Sequence, residues 1–445
     1  MALDTISAIS TALVASGVAV IRISGQKSLE IAKEMFVPQG KTAVLDFEPN
    51  KMYVGEILAD GFSDHGMCVY FKAPKSFTGE DIVEFHSHGG VAISKGILRK
   101  ILSLGARLAN NGEFTKRAFM NGKLSLSSAE GLIDMINSES VSGVKAGYYL
   151  YRENLTKEIT YLQDKITDAL SEIDADMDFP EEDLQIKSTV NVKNALIEVI
   201  DKVESLKSTY RLGRTLKDGV KVGIVGKPNT GKSSLLNALL NYEKAIVSDI
   251  AGTTRDIVEG NIEIEGVRFY FSDTAGIRNS DDKIEELGVS LSKRILNESD
   301  VILLVVDASD FDEQDKAIYQ IVKDKNVIVA QNKLDKLDKK LDVADICISA
   351  LKKQNLQELK KLLLDKTVGS GMDLNGDFLC EERHFNALCV ANQKFKSALE
   401  NIDIVPLDIL SIDIKDGWDA LGEISGKTAT EDIINNIFSK FCVGK

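Results

Sequence analysis

The spacing of apolar positions changes period three times along this chain. In residues 1–118 short apolar runs of strand length, DTISAIST and GVAVIRISG, precede a helical stretch, SLEIAKEMF. KMYVGEILADGFSDHGMCVYFKA follows, alternating and interrupted by Gly-containing turns, and predicts a hairpin. After SFTGEDIVEFHSHGG comes a second helical stretch, VAISKGILRKILSLGA. From 119 to 214 the pattern is helical throughout, with long amphipathic runs such as ENLTKEITYLQDKITDALSEIDADM and one break at Pro180. Strand-like runs return after 215, and the tail beyond 377 is helical again. Gly369, Gly371 and Gly376 mark a linker before that tail. The expected fold class is α/β plus α. An N-terminal α/β domain (1–118) precedes a discontinuous helical domain (119–214 and 372–445), into which a third domain (215–371) is inserted. Insertion is feasible because domain termini commonly lie close together.

The inserted stretch carries the densest chemistry. Residues 222–225 form an apolar run that ends in GKPNTGKS at 226–233, and SSLLNALLN reads as the helix that must follow. Glycines there let backbone N–H groups turn inward around phosphate oxygens, and the helix N-terminus adds partial positive charge. Asn229, Thr230, Gly231, Lys232, Ser233 and Ser234 are the candidate phosphate-binding residues. Lys232 is expected to reach the β- and γ-phosphates, and the Ser233 hydroxyl to bind Mg²⁺. VRFYFS leads into Asp273, Thr274, Ala275 and Gly276. The Asp273 carboxylate suits the Mg²⁺ shell, and the Gly276 N–H suits the γ-phosphate. Thr254, in GTTRD, is the expected threonine that closes over the metal. NVIVAQ ends in Asn332, Lys333 and Asp335, and DICI ends in Ser349 and Ala350. A carboxylate at Asp335 accepts from the guanine N1–H and N2–H₂ donors, a pair that adenine lacks. Four motifs in this order predict a P-loop, Ras-like GTP-binding domain.

One position departs from the Ras pattern. Where a glutamine orients the attacking water in that group, this chain has Ile277, which cannot hold water. The carboxylates of Asp281, Asp282, Glu285 and Glu286 follow closely. They can replace the glutamine or simply begin a solvated helix. No arginine finger is evident, which leaves transition-state charge to a cation or a partner.

Composition narrows the rest. The chain has 445 residues, 44% of them hydrophobic and 27% charged, in the range of folded globular domains. Its net charge of −14 means that any nucleic-acid contact must come from a local basic patch. The five cysteines are scattered without CxxC spacing, which argues for reduced thiols and a cytoplasmic location rather than a zinc site. Residues 12–21 lack the basic start of a signal peptide and read as a buried strand. No apolar run is long enough to predict a membrane span.

The motifs resemble, over essentially the whole chain, those of the tRNA-uridine modification GTPase family MnmE (TrmE). The resemblance is carried by DTISAI, VIRISG, SFTGEDIVEFHSHGG, GEFTKRAFMNGKLSL, DMDFPEED, GKPNTGKSSLLNAL, IAGTTRD, DTAGIR and the terminal FCVGK. It implies a homodimer whose paired G domains use K⁺ in place of an arginine finger. The K⁺ ligands would be Asn229, Ser248, Ile250 and Thr253, with Ser248 also beside the nucleotide. It assigns the water-orienting role to Glu285. It further implies an N-terminal domain that dimerises and binds a tetrahydrofolate derivative, in the 5,10-methylene or 5-formyl form, through Arg22, Glu84, Lys123 and Lys445. Cys442 could be a thiolate acting on the one-carbon unit or the uracil ring, or a small hydrophobe. The implied function is GTP-dependent installation of an aminomethyl or carboxymethylaminomethyl group on C5 of the wobble uridine of certain tRNAs. An FAD-carrying flavoprotein partner, MnmG (GidA), would act with it. A ribosome-assembly GTPase and a folate-sensing regulatory GTPase are the alternatives. The stretch TALVASGVAV departs from the PPG-type turn usual in the family, and Ser125 stands where the family carries Asp.

Overall fold

The structure is a computed structural model, described over residues 4–178, 185–241, 260–273, 297–336, 340–369 and 378–444. Its packing divides the chain into two units. One comprises residues 1–133, 149–199 and 390–445; the other comprises 134–148 and 200–389.

In the first unit the N-terminal runs form the strands β1 (Ile6–Ile9), β2 (Ser16–Ser24), β3 (Phe36–Pro38), β4 (Met52–Leu58), β5 (Ser63–Phe71), β6 (Ile82–Gly89) and β7 (Arg107–Leu108). They pair in the order β3-β4-β5-β6-β2-β1-β7. The hairpin read from the sequence is the β4–β5 pair, antiparallel from Met52↔Val69 to Leu58↔Ser63. Ile21, Ile23, Ile57, Val83 and Phe85 point to one buried face, which the helices Ser28–Met35 and Val91–Ser103 cover with Ile31, Met35, Ile97 and Ile101. Side chains of this size stabilise a fold by about 1.5–3 kcal/mol each when fully buried.

The helical part of this unit follows from spacing. In the helix Asn154–Asp178 the buried positions are Leu155, Ile159, Leu162, Gln163, Ile166, Ala169, Ile173 and Asp176, a stripe at helical period. It packs along the helix Leu407–Ser425. The Trp418 indole N–H donates to the Gln163 carbonyl at 3.2 Å, and the Gln163 amide donates back to the Trp418 carbonyl at 3.1 Å. Near the C-terminus, Phe438 and Phe441 join Leu126 and Ala129 in a small core. Pro180, expected to break the long helical run, lies outside the described residues.

The second unit holds the other sheet, formed by β8 (Val220–Val225), β9 (Gly260–Ile264), β10 (Val267–Asp273), β11 (Val301–Asp307), β12 (Val327–Asn332) and β13 (Ile346–Cys347). Their order is β13-β12-β11-β8-β10-β9, parallel except for the β9–β10 hairpin. Every residue of β11 is buried, as expected of a central parallel strand covered on both faces. Strand β8 lies between β10 and β11, so the connections on its two sides diverge at its C-terminal end. Such a switch point is where open α/β sheets bind ligands. Among the described residues no helix is long and apolar enough to cross a membrane.

Candidate functional site

The loop leaving β8 is shaped by two glycines. Gly226 has φ +148°, and a Cβ there would lie 2.2 Å from the Val305 carbonyl oxygen of β11. Gly231 has φ +96°, and its Cβ would lie 2.3 Å from Asn332 Nδ2. Any side chain at either position would fill the cradle or collide with its wall. The Gly231 carbonyl then accepts from the Leu235 N–H, which opens the helix Lys232–Asn241.

Within the cradle the Lys232 ammonium donates to the carbonyls of Gly226 at 2.8 Å and Lys227 at 2.7 Å. The Thr230 hydroxyl donates to the same Lys227 carbonyl at 3.0 Å. Lys232 and Thr230 are buried, while Asn229, Ser233 and Ser234 are exposed. Asp273 ends β10 and pairs in register with Ile224 of β8, which places it at the same sheet end as the loop. The arrangement fits a nucleotide with its metal. Ser233 would offer its hydroxyl to Mg²⁺, which would neutralise phosphate charge.

The loops that follow β12 and β13 are bound into this cradle. Asn332, buried at the end of β12, donates from Nδ2 to the Thr230 carbonyl at 2.9 Å and accepts at Oδ1 from the Ala350 N–H at 3.0 Å. One amide thus joins the phosphate loop to the loop after β13. Lys333 donates to the Asn229 carbonyl at 2.8 Å and pairs with Asp307 at 2.6 Å. Burial disfavours the Asp307 carboxylate, but Lys333 and Ser309 outweigh it and hold its pKa below the usual range. The Ser349 hydroxyl donates to Asp335 Oδ1 at 2.5 Å and lowers its pKa, so this carboxylate is oriented and ionised. Asp307 is a site residue that the motif reading passes over; its signal is its place at the end of the apolar run VILLVVD.

In the N-terminal sheet Arg22 and Glu84 face each other in register across β2 and β6 and pair at 2.7 Å. The Arg22 guanidinium lies over the rings of Phe77 and Phe114, 5.5 and 5.6 Å from their centroids. Burial would raise the Glu84 pKa, yet His86 and Arg22 together hold it low. Lys123 donates to the Pro74 carbonyl at 2.9 Å, on the same loop that carries Phe77. Cys442 is exposed, and its carbonyl accepts from the Gly112 N–H at 3.4 Å, two residues before Phe114. The sequence alone did not indicate Phe77, Phe114 or His86.

Ser248, Ile250, Thr253, Thr254, Thr274, Ala275, Gly276, Glu285 and Lys445 lie outside the described residues. Among those described, Asp134, Cys380 and Glu381 bring their potential ligand atoms within 4.8 Å of one another. The Lys217 ammonium pairs with Asp134 at 2.8 Å and also with Glu381, so a lysine already stands where a cation would.

Comparison with known proteins gives a consistent result. The family described as MnmE helical domain matches residues 126–442, and GTP-binding protein TrmE N-terminus matches residues 5–123. The tRNA modification GTPase MnmE of Clostridioides difficile (strain 630) is 38% identical over 455 residues, covering 99% of this chain and 99% of that one. The MnmE proteins of Desulforamulus reducens (37% over 458 residues, 99% of each chain) and Finegoldia magna (36% over 452 residues, 99% of this chain and all of that one) are similar to the same extent. With two family matches that together span nearly its whole length, and relatives aligned from end to end, the chain belongs to the tRNA modification GTPase MnmE family.

Proposed function

We propose that this chain hydrolyses GTP in the service of tRNA modification. The observation that supports this most directly is the single amide of Asn332, which ties the phosphate loop to the loop that follows the guanine-reading carboxylate. A pocket so joined couples base identity to phosphate position. Lys232 and Ser233 would meet the phosphates and Mg²⁺, with Thr254 and Asp273 completing the metal's surroundings. Asp335 would select guanine, and Glu285 would orient the attacking water.

On the same reading Asn229, Ser248, Ile250 and Thr253 hold K⁺, which offsets transition-state charge in place of an arginine. The domains would be 1–118, 119–214 with 372–445, and 215–371, in a homodimer located in the cytoplasm. The N-terminal domain would bind a tetrahydrofolate derivative. Glu84 suits the donor edge of a pterin, and Arg22, Lys123 and Lys445 suit its acidic tail. Exposure of Cys442 leaves its thiol available to a one-carbon unit or to uracil. A flavoprotein partner, MnmG, would bring FAD. The product would be an aminomethyl or carboxymethylaminomethyl group on C5 of the wobble uridine.

Mass spectrometry of tRNA nucleosides from cells with and without the gene tests this. Loss of those two modified uridines is expected on deletion, and an unchanged nucleoside profile would remove the tRNA role. Purified protein should hydrolyse GTP faster in K⁺ than in Na⁺; equal rates would remove the K⁺ site.

A further inference from the structure

Within the phosphate loop, the Lys227 side chain reaches the segment that follows β11. That side chain is only 7% exposed, and its ammonium is enclosed by the same segment. It donates to the Asp310 carbonyl at 2.6 Å, and it pairs with Asp312 Oδ2 at 2.9 Å and Asp315 Oδ2 at 2.8 Å. The Asp310 carboxylate stands further off, at 3.4 Å. Asp315 is fully buried, and its other oxygen, Oδ1, has no hydrogen-bond partner, so Lys227 carries most of the compensation for that charge. These acids are themselves fixed. Asp312 caps the helix Glu313–Val322, accepting from the N–H groups of Gln314 and Asp315, and its own N–H donates to Asp315 Oδ2 at 3.1 Å.

The main chain of Lys227 makes a separate set of contacts. Its carbonyl accepts from the Lys232 ammonium at 2.7 Å and from the Thr230 hydroxyl at 3.0 Å. One residue therefore connects a buried acidic anchor, through its side chain, to the cation expected to meet the β- and γ-phosphates, through its carbonyl. With its charge matched by carboxylates and its ammonium buried, Lys227 contributes no direct attraction to a phosphate. What it contributes is the placement of the loop.

We propose that Lys227 is a positioning residue for the nucleotide's phosphates, with the Asp310–Asp312–Asp315 segment as its anchor. This rests on the GTP-binding reading above. The loop serves bound GDP and GTP alike, so loss of the anchor should weaken both in the ground state and leave the chemical step nearly unchanged.

The test uses the full chain and titrates fluorescent GDP and a non-hydrolysable GTP analogue. Wild type must bind both; failure there overturns the GTP reading and this proposal together. Lys227→Met is expected to raise both Kd values about tenfold and KM in proportion, with kcat changed by about twofold or less. Lys227→Arg should restore affinity to within about threefold. Should Lys227→Met not fold, Asp312→Asn keeps the helix cap while removing one anchoring charge, and it should raise Kd about two- to threefold. A purely structural role would lower the thermal midpoint with Kd unchanged. That outcome, or a loss of kcat at constant KM, overturns the proposal.

Discussion

Lys333 donates to the carbonyl of Asn229 at 2.8 Å, and both residues have left-handed backbones, with φ of +67° and +65°. Non-glycine residues rarely adopt this region, and each costs of order 1–3 kcal/mol unless its surroundings hold it there. The hydrogen bond fixes the two strained residues against one another, across the gap between the phosphate loop and the loop that follows β12. Asp307 completes the arrangement by pairing with the same ammonium.

Replacing Lys333 with Ala should therefore cost more than a surface charge. It leaves the buried Asp307 with only the Ser309 donors and removes the donor to Asn229. A loss of about 2 kcal/mol in unfolding free energy is expected. Because the Asp307 pKa is held low in the folded state, its stabilisation is present above pH 4 and lost as pH falls below that. Wild type should show this acid-side loss in urea melts, and Lys333→Ala should show less of it. Equal stability at neutral pH would mean that the contact carries no energy.

Gly231→Ala introduces a Cβ 2.3 Å from the Asn332 amide, at a backbone φ of +96°. That amide is held at both ends and has no room to retreat. Nucleotide affinity should fall by about a hundredfold, with roughly 1–3 kcal/mol lost in stability from the backbone alone. Isothermal titration with GDP reads the first and thermal unfolding the second. Retained affinity would show that the loop opens in solution.

Asp335→Asn removes the charge that Ser349 orients. Guanine loses an acceptor for its N1–H and N2–H₂ donors, so GTP should bind about tenfold or more weakly. Preference over ATP should shrink in a competition assay. Unaltered selectivity would place guanine recognition elsewhere.

Asp134 gives a pH dependence of the opposite sign. Burial and the neighbouring Glu381 push its carboxyl up to about 8, against the pull of Lys217. A raised folded-state pKa means that this contribution to stability is complete below pH 4 and declines as pH rises towards 8. The slope is at most about 1.4 kcal/mol per pH unit. Asp134→Asn should flatten the decline between pH 5 and 8 in chemical unfolding curves. An identical slope in wild type and variant would exclude Asp134 as its source.

How much of this was legible in the sequence depended on the distance between partners. GKPNTGKS, and Asn332 with Asp335, are short contiguous patterns at strand ends, so spacing alone reveals them even though Asn332 reaches Thr230, 102 positions away. Asp307 and Asp315 work through Lys333 and Lys227, distant along the chain, and in sequence they look like an ordinary charged turn. The pairing of Arg22 with Glu84, 62 positions apart, exists only because β2 and β6 adopt one particular register. Phe77 and Phe114 reach Arg22 from a loop and a helix that no local pattern connects. The resemblance supplied what periodicity could not, by naming Arg22 and Glu84 together.

The ion pair between Lys217 and Glu381 joins residues 164 positions apart, on either side of the nucleotide-binding sheet. A polypeptide of that length closed on itself loses little further entropy when lengthened, since the closure cost grows only with the logarithm of the number of residues. Insertions in the surface loops between Lys217 and Glu381 should therefore cost little, provided that the two ends stay fastened. Loss of that fastening would release both ends of the segment at once, so new termini of a circular permutant are better opened in a surface loop between Lys217 and Glu381 than beside the ion pair.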